Sequence, residues 1–170
     1  MYIYEFMEKM KECSDKEDIR YADQFRTYMS QLRIREDPII NEKVVRWLSY
    51  DPMKNLKQYI RQPIYRIGNM ELVLIIWHPH STTPVHFHPH YGCLFRIVQG
   101  TLHSETYLDD DRSSIYKVDK VAVMNEGDID YTRGQHGIHR VFNPTDRMSI
   151  SIHLYIHRQP LAESKTISLP

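Results

Sequence analysis

From residue 64 onward the chain is a series of short apolar runs, each closed by turn-forming residues, and this limits its fold more than any other feature. The runs fall at 64–67, 70–77, 93–98, 101–108, 115–124, 129–132, 138–142 and 148–156. Between them stand Gly68-Asn69, Gln99-Gly100, Asp109-Asp110-Asp111, Asn125-Glu126-Gly127-Asp128 and Asn143-Pro144-Thr145-Asp146. Strands this short, evenly spaced and without helical pattern between them predict a mainly β fold, an antiparallel barrel or two-sheet sandwich. The last run alternates strictly: Ile150, Ile152, Leu154 and Ile156 on one face, Ser149, Ser151, His153 and Tyr155 on the other. In an open sheet the polar face would be wet. In a closed barrel it would line a site.

The first quarter has a different period. Ile3, Phe6, Met7 and Met10 mark one helical face, and Ala22, Phe25, Met29 and Leu32 a second, with Ser14 and Glu17 spaced as a capping box between them. Pro38 is expected to break the pattern and Asn41 to cap a third, shorter helix carrying Val44, Val45 and Leu48. The expected organisation is a single domain of 170 residues. A helical segment, 1–57, packs on the outside of a barrel formed by 58–170. Lysine plus arginine and aspartate plus glutamate balance at 22 each, so no field favours nucleic acid or an anionic membrane. Acidic residues interrupt the N-terminus where a signal peptide needs an apolar core, and no run approaches a membrane span. Two cysteines are too few for a disulfide framework, which suits a reducing compartment. The expectation is a soluble cytoplasmic protein, monomeric or weakly self-associating.

His86 and His88 are two apart, and on an extended strand both imidazoles would face one metal ion. His139 is the candidate third ligand, although the residues alone read it equally well as a satisfied strand histidine. Three imidazoles would leave positions open for substrate and dioxygen on Fe(II), or for water on zinc. The histidines at 78, 80, 90, 103, 136 and 157 have no marking spacing and read as surface or packing residues.

The stretch from His86-x-His88 through Cys93 to Gly100 resembles the first cupin motif, and Gly127 to His139 and Asn143 resembles the second. Most cupins place a glutamate ligand where this chain has Cys93. Its replacement is similar to the thiol dioxygenases, above all the cysteine dioxygenase family. Tyr59-Ile60-Arg61, His139-Arg140-Val141 and Ser151-x-His153-Leu154-Tyr155 also resemble family segments in kind and order. The resemblance implies a cupin barrel with N-terminal helices and Fe(2+) held by His86, His88 and His139. It implies that Tyr59 and Arg61 bind the substrate, the arginine through its carboxylate, and that Ser151, His153 and Tyr155 form a hydrogen-bonded series ending near the iron. It also implies that Cys93 can become thioether-linked to Tyr155, although a one-residue shift would put Gly92 there instead. The family departs from this chain at Phe87, where aspartate is common, and after Tyr155, where it often has Ser-Pro-Pro.

The implied activity is oxidation of L-cysteine with O2 to cysteine sulfinate. Neutral imidazoles would leave Fe(II) its full double charge, attracting a thiolate, while Arg61 offers a planar fork for a carboxylate. On spacing alone Arg61 also reads as a surface ion-pair partner, and Cys93 as a small buried apolar residue. The alternatives are the same chemistry on another small thiol such as 3-mercaptopropionate, and a non-catalytic metal-binding cupin module.

Overall fold

The computed structural model describes residues 1–14, 21–48, 59–88, 91–108, 117–133 and 138–158. Two antiparallel sheets carry the fold. The first contains β1 (Tyr59–Ile67), β2 (Met70–Trp77), β8 (Ser149–Ile156), β3 (Cys93–Gln99) and β6 (Ile129–Thr132), hydrogen-bonded in that order. The second runs β5 (Lys117–Asn125), β4 (Thr101–Leu108), β7 (His139–Phe142). The expected mainly β fold, with antiparallel sheets and N-terminal helices, is what is found. Gly68 and Asn69 make the β1–β2 turn, with Gly68 at φ +51°, a conformation that side chains rarely adopt. The expected turn at Asp109-Asp110-Asp111 and the capping-box residue Glu17 lie outside the described residues.

The central strands β2 and β8 are buried on both faces. On one face Leu72, Leu74, Ile152, Leu154 and Ile156 join Ile3, Phe6 and Met10 of α1 (Ile3–Cys13) and Phe25 and Met29 of α2 (Tyr21–Ser30) in one apolar cluster. On the other face Val73, Ile75, Trp77, Phe95 and Ile97 meet Leu102, Met124 and Val141 of the second sheet. The helices therefore cover one side of the first sheet, and the space between the sheets forms a second core.

Polar side chains fasten the helices. The guanidinium of Arg96 on β3 donates to the carbonyls of Met29 (2.8 Å), in the last turn of α2, and Leu32 (2.9 Å), just beyond it. Asp37 accepts from the Ile3 N–H at 2.6 Å and from the N–H groups of Ile39 and Ile40 at 3.0 and 3.3 Å. One buried carboxylate thus serves the first turns of both α1 and α3 (Pro38–Leu48). This corrects the sequence expectation at two points. Pro38 opens the third helix instead of breaking the pattern, because at the first helical position its missing N–H costs nothing. Asn41 lies inside the helix and donates to the Arg35 carbonyl at 3.0 Å. Among the described residues no helix is long and apolar enough to cross a membrane.

Candidate metal centre and adjoining cavity

His86 and His88 do not sit on a regular strand. They lie on an extended segment between β2 and β3 that runs along the edge of β7 not paired with β4. Thr83 N–H donates to Val141 O (2.9 Å), His86 N–H to His139 O (3.0 Å), and His139 N–H back to His86 O (3.1 Å). The His86–His139 bridge places the third imidazole beside the first two. Ring centroids are 5.0 Å apart for His86–His88, 4.9 Å for His86–His139 and 4.5 Å for His88–His139. One nitrogen from each ring lies within 4.8 Å of the others, and no carboxylate or thiol joins this set among the described residues.

The outer side of the set fixes its orientation. Nδ1 of His86 lies 2.9 Å from the Pro84 carbonyl, which can only accept, so Nδ1 is a donor and Nε2 is the atom left for a metal. Nδ1 of His139 shares a hydrogen bond of 3.1 Å with Ser104 Oγ on β4, leaving Nε2 buried without a protein partner. Nδ1 of His88 is likewise buried and unpartnered. Burial, together with the neighbouring rings, lowers His139 from 6.5 to about 3 and His88 to about 4. Three imidazoles that bring one nitrogen each within 4.8 Å, two of them held neutral by burial, are what a divalent ion requires. A metal fits here, held by His86, His88 and His139.

The polar face of β8 leads into this centre, so the closed alternative for that face is the one realised. Strand register sets its neighbours. Ser151 stands opposite Ile75 of β2 and Ile97 of β3, His153 opposite Val73 and Phe95, and Tyr155 opposite Glu71 and Cys93. Ser151 Oγ is 2.8 Å from His153 Nε2, and His153 Nδ1 is 3.6 Å from Cys93 Sγ. The His153 ring stacks on Phe95 at 5.0 Å and on Tyr155 at 5.9 Å, and Tyr155 in turn stacks on His88 at 6.0 Å. The order expected from the sequence is present with one difference. His153 meets Tyr155 by stacking and shares its hydrogen bond with the Cys93 sulfur, and Cys93 is the register partner of Tyr155. Burial pushes the thiol of Cys93 and the phenol of Tyr155 well above their ordinary values, so both keep their protons at neutral pH.

The alternative of Gly92 opposite Tyr155 is resolved by the same register. Gly92 precedes the strand at φ +96°, its carbonyl accepts from Ile156 N–H, and a Cβ there would strike the Thr132 carbonyl. Cys93 is the residue that faces the tyrosine.

A cavity of about 390 Å³ opens from the three histidines between Tyr155 and the apolar walls of Ile75, Trp77 and Val141. Tyr59 lines it and stacks on Trp77 at 5.1 Å. Arg61 lies at its mouth, with its guanidinium carbon 5.0 Å from the Tyr155 ring centre. Its side chain is 48% exposed and 3.9 Å from Glu71, so the ion-pair reading and the cavity reading of Arg61 both hold. Glu71 is buried and bound more tightly by Arg66, which donates to Oε1 through Nε (2.8 Å) and Nη2 (2.5 Å).

Sequence reasoning missed four residues of this region. Glu71 is the one charged residue in the run 70–77, a signal that could have found it. His157 continues the parity of 149, 151, 153 and 155 and lines the cavity with Nε2 buried and unpartnered, contrary to its reading as a surface or packing residue. Ser104 and Trp77 gave no such signal, since a serine on a strand and a tryptophan at the end of an apolar run are ordinary.

The arrangement can be set beside known proteins. A crystal structure from Thermus thermophilus matches at a TM-score of 0.50 and 14% identity, covering 67% of this chain and 94% of that one. An uncharacterised Klebsiella pneumoniae protein with a double-stranded β-helix domain matches at 0.47 and 19% identity, covering 58% and 76%. A cupin superfamily protein from Desulfitobacterium hafniense matches at 0.46 and 12%, covering 59% and 78%. The family model described as cysteine dioxygenase type I matches residues 40–166, a span that takes in the three histidines, Arg61 and the whole of β8. With that match over most of its length, the chain belongs to the cysteine dioxygenase type I family and is a cupin dioxygenase-type enzyme.

Proposed function

We propose that the chain is an iron(II)-dependent thiol dioxygenase that oxidises L-cysteine with O2 to cysteine sulfinate. The observation that carries this reading is the pairing of an all-histidine metal set with a guanidinium at the mouth of the same cavity. Bound Fe(II) would supply the open positions at which thiol and dioxygen meet.

The chain's own residues account for the rest. Arg61 presents a permanently charged fork to the substrate carboxylate, and the Tyr59–Trp77 stack limits how far the substrate can turn. Ile75, Trp77 and Val141 keep water from the wall of the cavity. Tyr155, held protonated by burial and then by the neighbouring Cys93, offers an O–H donor where oxygen must be positioned. Ser151 and His153 hold that end of the strand in place through the Cys93 sulfur. The thioether of the family would join Cys93 to Tyr155, which face each other across β3 and β8.

Glu71 favours keeping a second substrate in view. A carboxylate 3.9 Å from Arg61 competes with any substrate carboxylate, and the balance differs for a thiol acid without an amine, such as 3-mercaptopropionate. The test is oxygen uptake by iron-loaded protein with each thiol, with sulfinate measured as product. Uptake that is absent with both thiols, or no greater than that of a His86→Ala control, overturns the reading. Arg61→Ala should weaken apparent affinity by about 1.5–3 kcal/mol, as expected for a hydrogen bond to a charged group.

A further inference from the structure

We propose that the indole N–H of Trp77 sets the tautomer of His153, acting through Ser151, so that the Nδ1 proton of His153 points at the sulfur of Cys93. Trp77 is thereby a positioning residue at the head of a four-member chain that ends on sulfur.

An indole nitrogen only donates, and Trp77 Nε1 lies 2.8 Å from Ser151 Oγ. Ser151 is fully buried, so the fate of its single hydroxyl proton matters. Its other neighbour at hydrogen-bonding distance is His153 Nε2, also at 2.8 Å. Were Nε2 protonated, the serine oxygen would accept two bonds while its own proton was stranded away from water. The satisfied arrangement has the serine donating to a bare Nε2. A neutral imidazole then carries its one proton on Nδ1, and Nδ1 faces Cys93 Sγ at 3.6 Å.

The rings are held so that this choice persists. Phe95 lies parallel to His153, 6° between planes, which resists a flip that would exchange ring nitrogens for carbons. Trp77 is 1% exposed, stacks on Tyr59, and has its carbonyl bound by the Asn143 side chain at 3.3 Å. Burial separately keeps His153 neutral, with its pKa well below the ordinary value, so one ring proton and two places for it is the real choice. The consequence is a fixed N–H on the Cys93 sulfur. It orients the lone pairs of the atom that stands opposite Tyr155, whether that atom is a thiol or a thioether.

The test uses the full chain, labelled with nitrogen-15 at histidine and loaded with diamagnetic zinc. The expected result is a single His153 form, protonated at Nδ1 and bare at Nε2. Trp77→Phe keeps the ring and removes the donor; His153 should then show both tautomers. In the iron-loaded protein the same variant should lower kcat for thiol-dependent oxygen uptake by roughly 10-fold, a typical outer-sphere effect, with KM held within about twofold. Wild-type His153 protonated at Nε2 overturns the proposal, as does a Trp77→Phe protein that keeps the single Nδ1–H form. If Trp77→Phe does not fold, Ser151→Ala removes the same link: mixed tautomers support the proposal and an unchanged one overturns it. Only the kinetic part rests on the thiol dioxygenase reading. A protein that consumes no oxygen yet shows the predicted tautomer sinks that reading and leaves this inference standing.

Discussion

The two faces of β8 are built from alternate residues of one strand and do opposite things. Ile152, Leu154 and Ile156 point toward α1 and α2, where each buried aliphatic side chain contributes about 1.5–3 kcal/mol and tolerates similar replacements. Ser151, His153 and Tyr155 point between the sheets, where burial of polar groups is unfavourable unless every partner is in place. Their partners come from β2 and β3 through the register: Trp77 for Ser151, Phe95 and Cys93 for His153, Cys93 opposite Tyr155. The helix-facing side fixes the strand in position. The inner side uses that rigidity to hold atoms at hydrogen-bond distances, so stability and chemistry separate by residue parity.

That separation can be broken from either side. The largest effect should come from His139→Ala, which removes one of the three candidate metal ligands. Oxygen uptake should fall on the order of 10³-fold or more, with little change in the unfolding midpoint of the metal-free protein. Leu154→Ala should do the reverse, costing about 2–5 kcal/mol in denaturant unfolding while the rate per bound metal stays near wild type. Ser104→Ala sharpens the contrast within the inner side. It leaves the His139 ligand atom in place but removes its outer partner, so metal affinity measured by competition should fall roughly 10–100-fold.

A further effect, which needs no mutation, is a slope with pH. His88, His139 and His153 are held neutral by burial, with His139 at about 3 and His88 at about 4. Below 6.5 the unfolded chain binds protons that the folded chain refuses, so the stability of metal-free protein should fall as pH drops from 6.5 toward 4. Each histidine contributes up to about 1.4 kcal/mol per pH unit. Denaturant midpoints measured across that range should show the slope in wild type and unchanged in Leu154→Ala. A flat profile would mean that these rings are not buried as neutral groups.

The parity of β8 was legible in the sequence because strand geometry has a period of two and the residues alternate without exception from 149 to 156. So were the turn at Gly68-Asn69 and the helical stripes, which depend on local chemistry. The three-histidine set was legible only through the resemblance to the family's motifs, and the strand expected to carry His86 and His88 is an irregular segment tied to β7 by few hydrogen bonds. Long-range register was not legible. Nothing local to Trp77 says that it meets Ser151, 74 positions later, nor does Ser104 announce His139. The Asp37–Pro38 helix start was misread for a different reason, since proline opens a helix as readily as it ends one, and the buried aspartate before it decides which.

On the proposed function, both atoms of dioxygen should end on a substrate sulfur beside His86, His88 and His139. Iron-loaded protein turned over with L-cysteine under oxygen-18 gas tests this most directly, with the product read by mass spectrometry. The prediction is a sulfinate carrying label in both oxygen atoms, formed by wild type and absent with His139→Ala. A sulfinate with one labelled oxygen or none, or cystine and peroxide in its place, would contradict the account.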